Sequence, residues 1–146
     1  MGHRIRAIIG KNNTVKNIAH FWHYAEAIGL QQGYSIVFLT DALIDDITEL
    51  YDEEDNLDCS GLDFLTTSVF HFLQDYSVNS QLVYIETDYF GRYGTQAGVL
   101  FEDGSMTINP VCEEGIINRL LELIGVLKYR GKDEFDSLGL GRYRTM

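Results

Sequence analysis

Apolar residues recur along this chain with two periods, and the change from one to the other divides it in two. Arg4-Ile5-Arg6-Ala7-Ile8-Ile9 alternates and then runs apolar, which predicts a first strand. Thr14 is placed to cap a helix over Val15–Ile28, stopped by Gly29, with Ile18, Phe21, Trp22, Ala25 and Ile28 on one face. Tyr34–Leu39 predicts a buried second strand. Thr40 or Asp41 then caps a helix whose apolar positions Leu43, Ile44, Ile47, Leu50 and Tyr51 fall three or four apart. After the polar run Asp52-Glu53-Glu54-Asp55-Asn56, Ser60-x-x-Asp63 has the form of a capping box. It would open a helix buried through Leu62, Leu65, Val69, Phe72 and Leu73.

From there the period falls to two. Leu82–Asp88 and Thr95–Glu102 read as strands, and Asp103-Gly104 is a two-residue hairpin signal leading into Met106–Asn109. Asn109-Pro110 would start a last helix, with Glu113 and Glu114 early, Lys128 and Arg130 late, and Gly131 at its end. The expected fold class is α+β, a mixed α/β sandwich. It has about five strands, three of them an antiparallel C-terminal meander, and about four helices packed on the sheet. With no linker, repeat or low-complexity run, residues 1–146 read as one domain, and 131–146 as a polar tail docking through Phe135, Leu138, Leu140 and Tyr143.

Charge changes this picture most. The chain carries 11 basic and 22 acidic residues, for a formal charge of −11. No Lys or Arg occurs between Asn17 and Gly91, and Asp41–Asp63 alone holds ten acids. A surface this acidic is repelled by phosphate backbones and anionic lipid heads, which argues against nucleic acid and membrane as partners. No apolar run reaches the ~20 residues that span a bilayer, and no signal-peptide core opens the chain. Cys59 and Cys112 stand in no metal or redox spacing, so both thiols are expected to be buried or inert in a reducing cytoplasm.

On the second helix, 100° per residue puts Asp45, Asp46, Glu49, Asp52 and Glu53 opposite Ile47. Asp45–Glu49 and Glu49–Glu53 are like-charge i,i+4 pairs, each costing about 0.2–0.5 kcal/mol, and carboxylates at a helix C-terminus oppose its dipole. The run continues through Glu54 and Asp55. Such a face either solubilises or meets a basic partner. The calcium-loop pattern Asp52, Glu54, Asn56, Asp63 lacks the sixth-position glycine and the final bidentate Glu, and is rejected. Asp88-Tyr89-Phe90-Gly91-Arg92-Tyr93-Gly94 reads as a loop between strands, and Tyr89, Phe90, Arg92 and Tyr93 have the composition of an interaction hot spot. His20-x-x-His23 shares a stripe with Lys16 and reads as solvent-facing, not as a metal pair.

A competing reading is a ligand or hydrolase-like site. Glu86 and Asp88 share a strand face about 7 Å apart, Arg92 and Tyr93 follow, and Gln96 lies close in sequence. No catalytic residue, metal ligand or cofactor is assigned, since no P-loop, dinucleotide fingerprint or nucleophile elbow is present.

Asp88-Tyr89-Phe90-Gly91-x-x-Gly94-x-Gln96 and Gly131-Lys132-Asp133-Glu134-Phe135-Asp136-x-Leu138-Gly139-Leu140-Gly141-Arg142 resemble a family of small, acidic bacterial proteins with no assigned activity. The resemblance covers about 20 residues and implies no site residue. In general character, small, acidic and cytoplasmic, the chain is similar to bacterial immunity proteins that neutralise toxins. The leading expectation is therefore a protein-interaction or inhibitor protein presenting Asp41–Asp63 to a basic partner. A homodimer through exposed rings is the third reading.

Overall fold

Six strands among the described residues form one antiparallel sheet in the order β2-β3-β1-β4-β5-β6. The structure, a computed structural model, describes residues 2–55, 62, 64–90 and 93–140, and the side chains of 2–4, 88–90, 93, 94 and 110 are not among those described. The elements run β1 (Gly2–Lys11), α1 (Asn12–Phe21), β2 (Ile28–Gly29), β3 (Tyr34–Phe38), α2 (Asp41–Tyr51), α3 (Thr67–Tyr76), β4 (Gln81–Phe90), β5 (Tyr93–Glu102), β6 (Ser105–Cys112), α4 (Ile116–Leu123) and α5 (Glu134–Ser137). The class is the expected α+β sandwich. The strand beyond the expected five is the short edge pair β2.

Because β3 and β4 both lie antiparallel to β1 and flank it, they run parallel to each other. Parallel strands need a long crossover, which α2 and α3 supply on one face of the sheet. On that face Ile8, Val37, Leu82, Tyr84 and Val99 meet the apolar sides of α1, α2 and α3. On the other, Ile5, Ala7, Ile9, Val83, Ile85 and Leu100 meet α4, α5 and Phe135, Leu138 and Leu140. The period-2 strands therefore carry two buried faces, which explains their apolar runs.

Several predicted boundaries move, each for a tertiary reason. The first helix begins at Asn12 and ends at Phe21. Thr14 does not cap it, because its hydroxyl bonds that of Ser80. Trp22 turns extended and the chain leaves to pair Ile28–Gly29 with β3. Phe21, expected in the core, is exposed. The third helix begins at Thr67 with Thr66 as its cap. Leu62 and Leu65 are buried ahead of it, while Ser60 and Asp63 lie outside the described residues.

Pro110 does not open the last helix. It lies within β6, an edge strand where a missing N–H is tolerated, and the β5–β6 register slips between Gly98/Leu100, where β6 carries an extra residue. Cys112, expected to be buried or inert, is exposed on this edge. Asp103 and Gly104 make the predicted hairpin turn, both at positive φ. α4 stops well before Lys128 and Arg130. Gly125 at φ 102 ends it in a Schellman motif, in which Val126 N donates to Leu121 O at 3.0 Å and Gly125 N to Glu122 O at 3.0 Å. At Gly98 a Cβ would lie far inside contact distance of Leu120 Cδ1, so the absent side chain is what seats α4 on the sheet.

Candidate functional site

Thr40 Oγ1 accepts from Leu43 N at 3.2 Å and starts α2, which buries Leu43 and Ile47. That choice turns Asp45, Glu49 and Asp52 to solvent, with Asp46 half-buried. Asp52, left-handed at φ 47, closes the helix. Glu53 therefore leaves the helical face, and the expected Glu49–Glu53 pair is not a helical one.

Part of the acidic run is used inside the molecule. Asp41, at the N-terminus where a carboxylate favours the dipole, accepts from Arg6 at 2.8 Å. Asp55 Oδ1 accepts from Thr67 N at 3.2 Å and so ties the turn to the start of α3. Glu53 Oε1 lies 3.1 Å from His71 Nδ1. Asp45, Asp46, Glu49, Asp52 and Glu54 have no side-chain hydrogen bond or ion pair among the described residues.

The stripe ends at an aromatic junction. Trp22, just past α1, stacks on Tyr51 of α2 with centroids 6.4 Å apart and meets Phe72 of α3 edge-on at 5.3 Å. Trp22 Nε1 donates to Tyr76 at 2.9 Å, and Tyr51 donates to Asp75 at 2.6 Å. Residues beside this stack are left in solvent: Phe21 is 67% exposed, Leu50 61% and Tyr24 52%. The helical period places Phe21 and Leu50 in the core. Each is exposed because it sits next to the ring that the junction takes instead, a choice made by three helices together.

Burial raises the phenols of Tyr51 and Tyr76, and the hydrogen bond to Asp75 raises Tyr51 further. Tyr34, whose hydroxyl donates to Ile124 O at 2.8 Å on the other layer, is raised by burial as well. A raised folded pKa means stability that is complete below the unfolded value near 10 and lost above it, as the unfolded chain ionises first. Melting temperature is therefore expected to hold to about pH 10 and fall beyond it. Tyr51→Phe should flatten that fall, and an unchanged alkaline limb in this variant would contradict the assignment.

The competing candidate is built on β4. Glu86 is buried on the helix-layer face, where its Oε2 accepts from Tyr84 hydroxyl at 2.8 Å and from Phe64 N at 3.0 Å. Its cross-strand neighbour Arg6 lies over the Phe64 ring at 4.1 Å and donates to Leu39 O at 2.9 Å. This carboxylate fastens the segment before α3 to the sheet. Gln96 stands on the neighbouring strand but does not join it. It pairs with Thr87 on the opposite face, and its Oε1 accepts from Ile117 N at 3.0 Å, supplying to α4 the cap that Gly115 cannot.

Asp88, Tyr89 and Phe90 belong to β4 and pair with β1, and Tyr93 pairs with Phe90, so the expected aromatic loop is strand except for Gly91 and Arg92, which lie outside the described residues. An open cavity of about 470 Å³, lined by Lys11, Thr14, Ser80, Gln81, Glu102 and others, lies at the far end of the sheet and takes in none of these candidates.

His20 and His23 are exposed, and no group of three or more His, Cys, Asp or Glu is placed to hold a metal among the described residues. None of the described helices is long and apolar enough to cross a membrane. No protein-family model matches the chain, and neither does any curated protein or solved structure.

Proposed function

We propose that this is a small interaction or inhibitor protein, of immunity type, which binds a basic partner through the outer side of α2 and the turn after it. The observation that carries the reading is the stripe Asp45, Glu49, Asp52 and Glu54, without side-chain partners among the described residues and bordered by exposed Phe21, Tyr24 and Leu50. Unpaired carboxylates speed encounter with a cationic surface, and apolar anchors at their border set residence time. Glu53 and Asp55 belong to the same surface while also holding the turn in place. Tyr89, Phe90 and Tyr93 leave the proposal as a loop, their place being taken by the aromatic junction.

Immobilised protein in lysate at low ionic strength is expected to capture basic proteins. They should elute as salt rises toward 1 M, where the screening length falls to about 3 Å. Glu49→Lys/Asp52→Lys should abolish capture without lowering the melting temperature, and Phe21→Ala/Leu50→Ala should speed dissociation with little change in association rate. Capture indifferent to both salt and charge reversal would overturn the reading.

A further inference from the structure

The opposite layer of the molecule carries the complementary surface. Leu127 is 71% exposed, Tyr129 46% and, on the outer side of α4, Leu123 48%. Lys128, Arg130 and Lys132 alternate with them, all exposed and without an ion pair among the described residues. This stretch has no regular structure yet is firmly placed. Gln32 grips Leu127 twice, donating to its O at 2.8 Å and accepting from its N at 2.9 Å. Ser137 Oγ accepts from Tyr129 N at 2.8 Å. Three exposed apolar side chains fixed among three cations form a docking surface in need of an acidic, partly apolar occupant.

We infer that the occupant is the α2 face of a second copy of this chain, with Glu49 and Asp52 against Lys128 and Arg130 and Leu50 against Leu127 and Tyr129. The two surfaces lie on opposite faces of the sheet, α2 in one core layer and α4 in the other, so they cannot meet within one molecule. Because the two surfaces lie on opposite faces, no single self-complementary patch holds both, so the association is head-to-tail and either closes into a ring or grows as a chain. Overall charge of −11 opposes it at low salt, over distances longer than the contact. Near 0.1 M salt the screening length is about 10 Å, which damps that repulsion while leaving the ion pairs in place. Association is therefore strongest at intermediate salt. The inference rests on the reading of α2 as an interaction surface.

Sedimentation velocity across concentration and salt tests it. The wild type is expected to form reversible larger species, most at intermediate salt. Lys128→Gln/Arg130→Gln and Glu49→Gln/Asp52→Asn should each weaken association about tenfold, the worth of two partly exposed ion pairs. Mixed together, these two variants should form one-to-one dimers and nothing larger, because only one good contact remains between them. A wild type monomeric to about 1 mM overturns the inference. So do larger species that both variants retain, or a Lys128/Arg130 surface that binds phosphatidylserine vesicles and no second copy. Capture of foreign basic proteins separates the two claims: the Lys128→Gln/Arg130→Gln variant should keep it. A monomeric wild type that still captures them refutes self-association alone.

Discussion

Glu86→Ala is expected to cost about 1–4 kcal/mol of stability, because it removes the acceptor of two hydrogen bonds, one from a fully buried hydroxyl and one from a part-buried N–H. Tyr84 is fully buried and its hydroxyl, like the Phe64 N–H, ends on the same carboxylate oxygen. Losing the acceptor of a fully buried donor costs about 1–3 kcal/mol, and less for the part-buried Phe64 N–H. Glu86→Gln keeps an acceptor there and loses only the strengthening given by charge, so its cost should be near 1 kcal/mol. Urea unfolding followed by the fluorescence of Trp22, the sole tryptophan, measures both. The alanine variant should also be cut faster by protease near residues 62–66, since the tie from that segment to β4 is gone. A loss below about 1 kcal/mol would mean that Glu86 does not fasten the segment, and its burial would then call for a role in binding.

Phe72→Ala is expected to cost about 3–5 kcal/mol, the range for deleting a buried ring that cannot be refilled. Phe72 is inaccessible and lies within ring-contact distance of Trp22 at 5.3 Å, Tyr51 at 6.4 Å and Tyr76 at 4.9 Å. The cavity would open under the point where α1, α2 and α3 meet. Trp22 emission in the folded state should shift to longer wavelength as water reaches the ring. Capture of a basic partner should weaken too, since Phe21 and Leu50 stand on residues that this ring supports. An unshifted emission with full stability would show that the three helix ends do not depend on one another.

The chain made some of this legible and hid the rest for identifiable reasons. Thr40 capping α2, the Asp103-Gly104 turn and the buried Leu43 and Ile47 were readable because each depends on residues within four positions. Gln96, a ligand-site candidate by sequence, accepts from Ile117 N at the start of a helix twenty residues later in the chain, and nothing local marks a cap supplied by another element. Asn109-Pro110 carries the local signature of a helix start, although an edge strand with a register slip accommodates proline equally well. Asn118, which donates to Asp133 at 3.2 Å and accepts from Phe135 N at 2.9 Å, fixes α5 against α4, and no local pattern marks it.

The candidate surface divides the same way. By itself the sequence determined the α+β class, the strand-rich second half and the concentration of acid in Asp41–Asp63, because periodicity and composition are carried by neighbouring residues. Tertiary structure alone decided which acids keep no side-chain partner among the described residues and which are engaged, as Asp41 is by Arg6, Asp55 by Thr67 and Glu53 by His71. It also decided that Trp22 and Tyr51 turn inward while Phe21 and Leu50 turn out. Adjacent apolar residues on a helix compete for one core, and the winner is chosen by the shape of the elements they meet. Those elements lie as far as fifty residues away, beyond the reach of any local pattern.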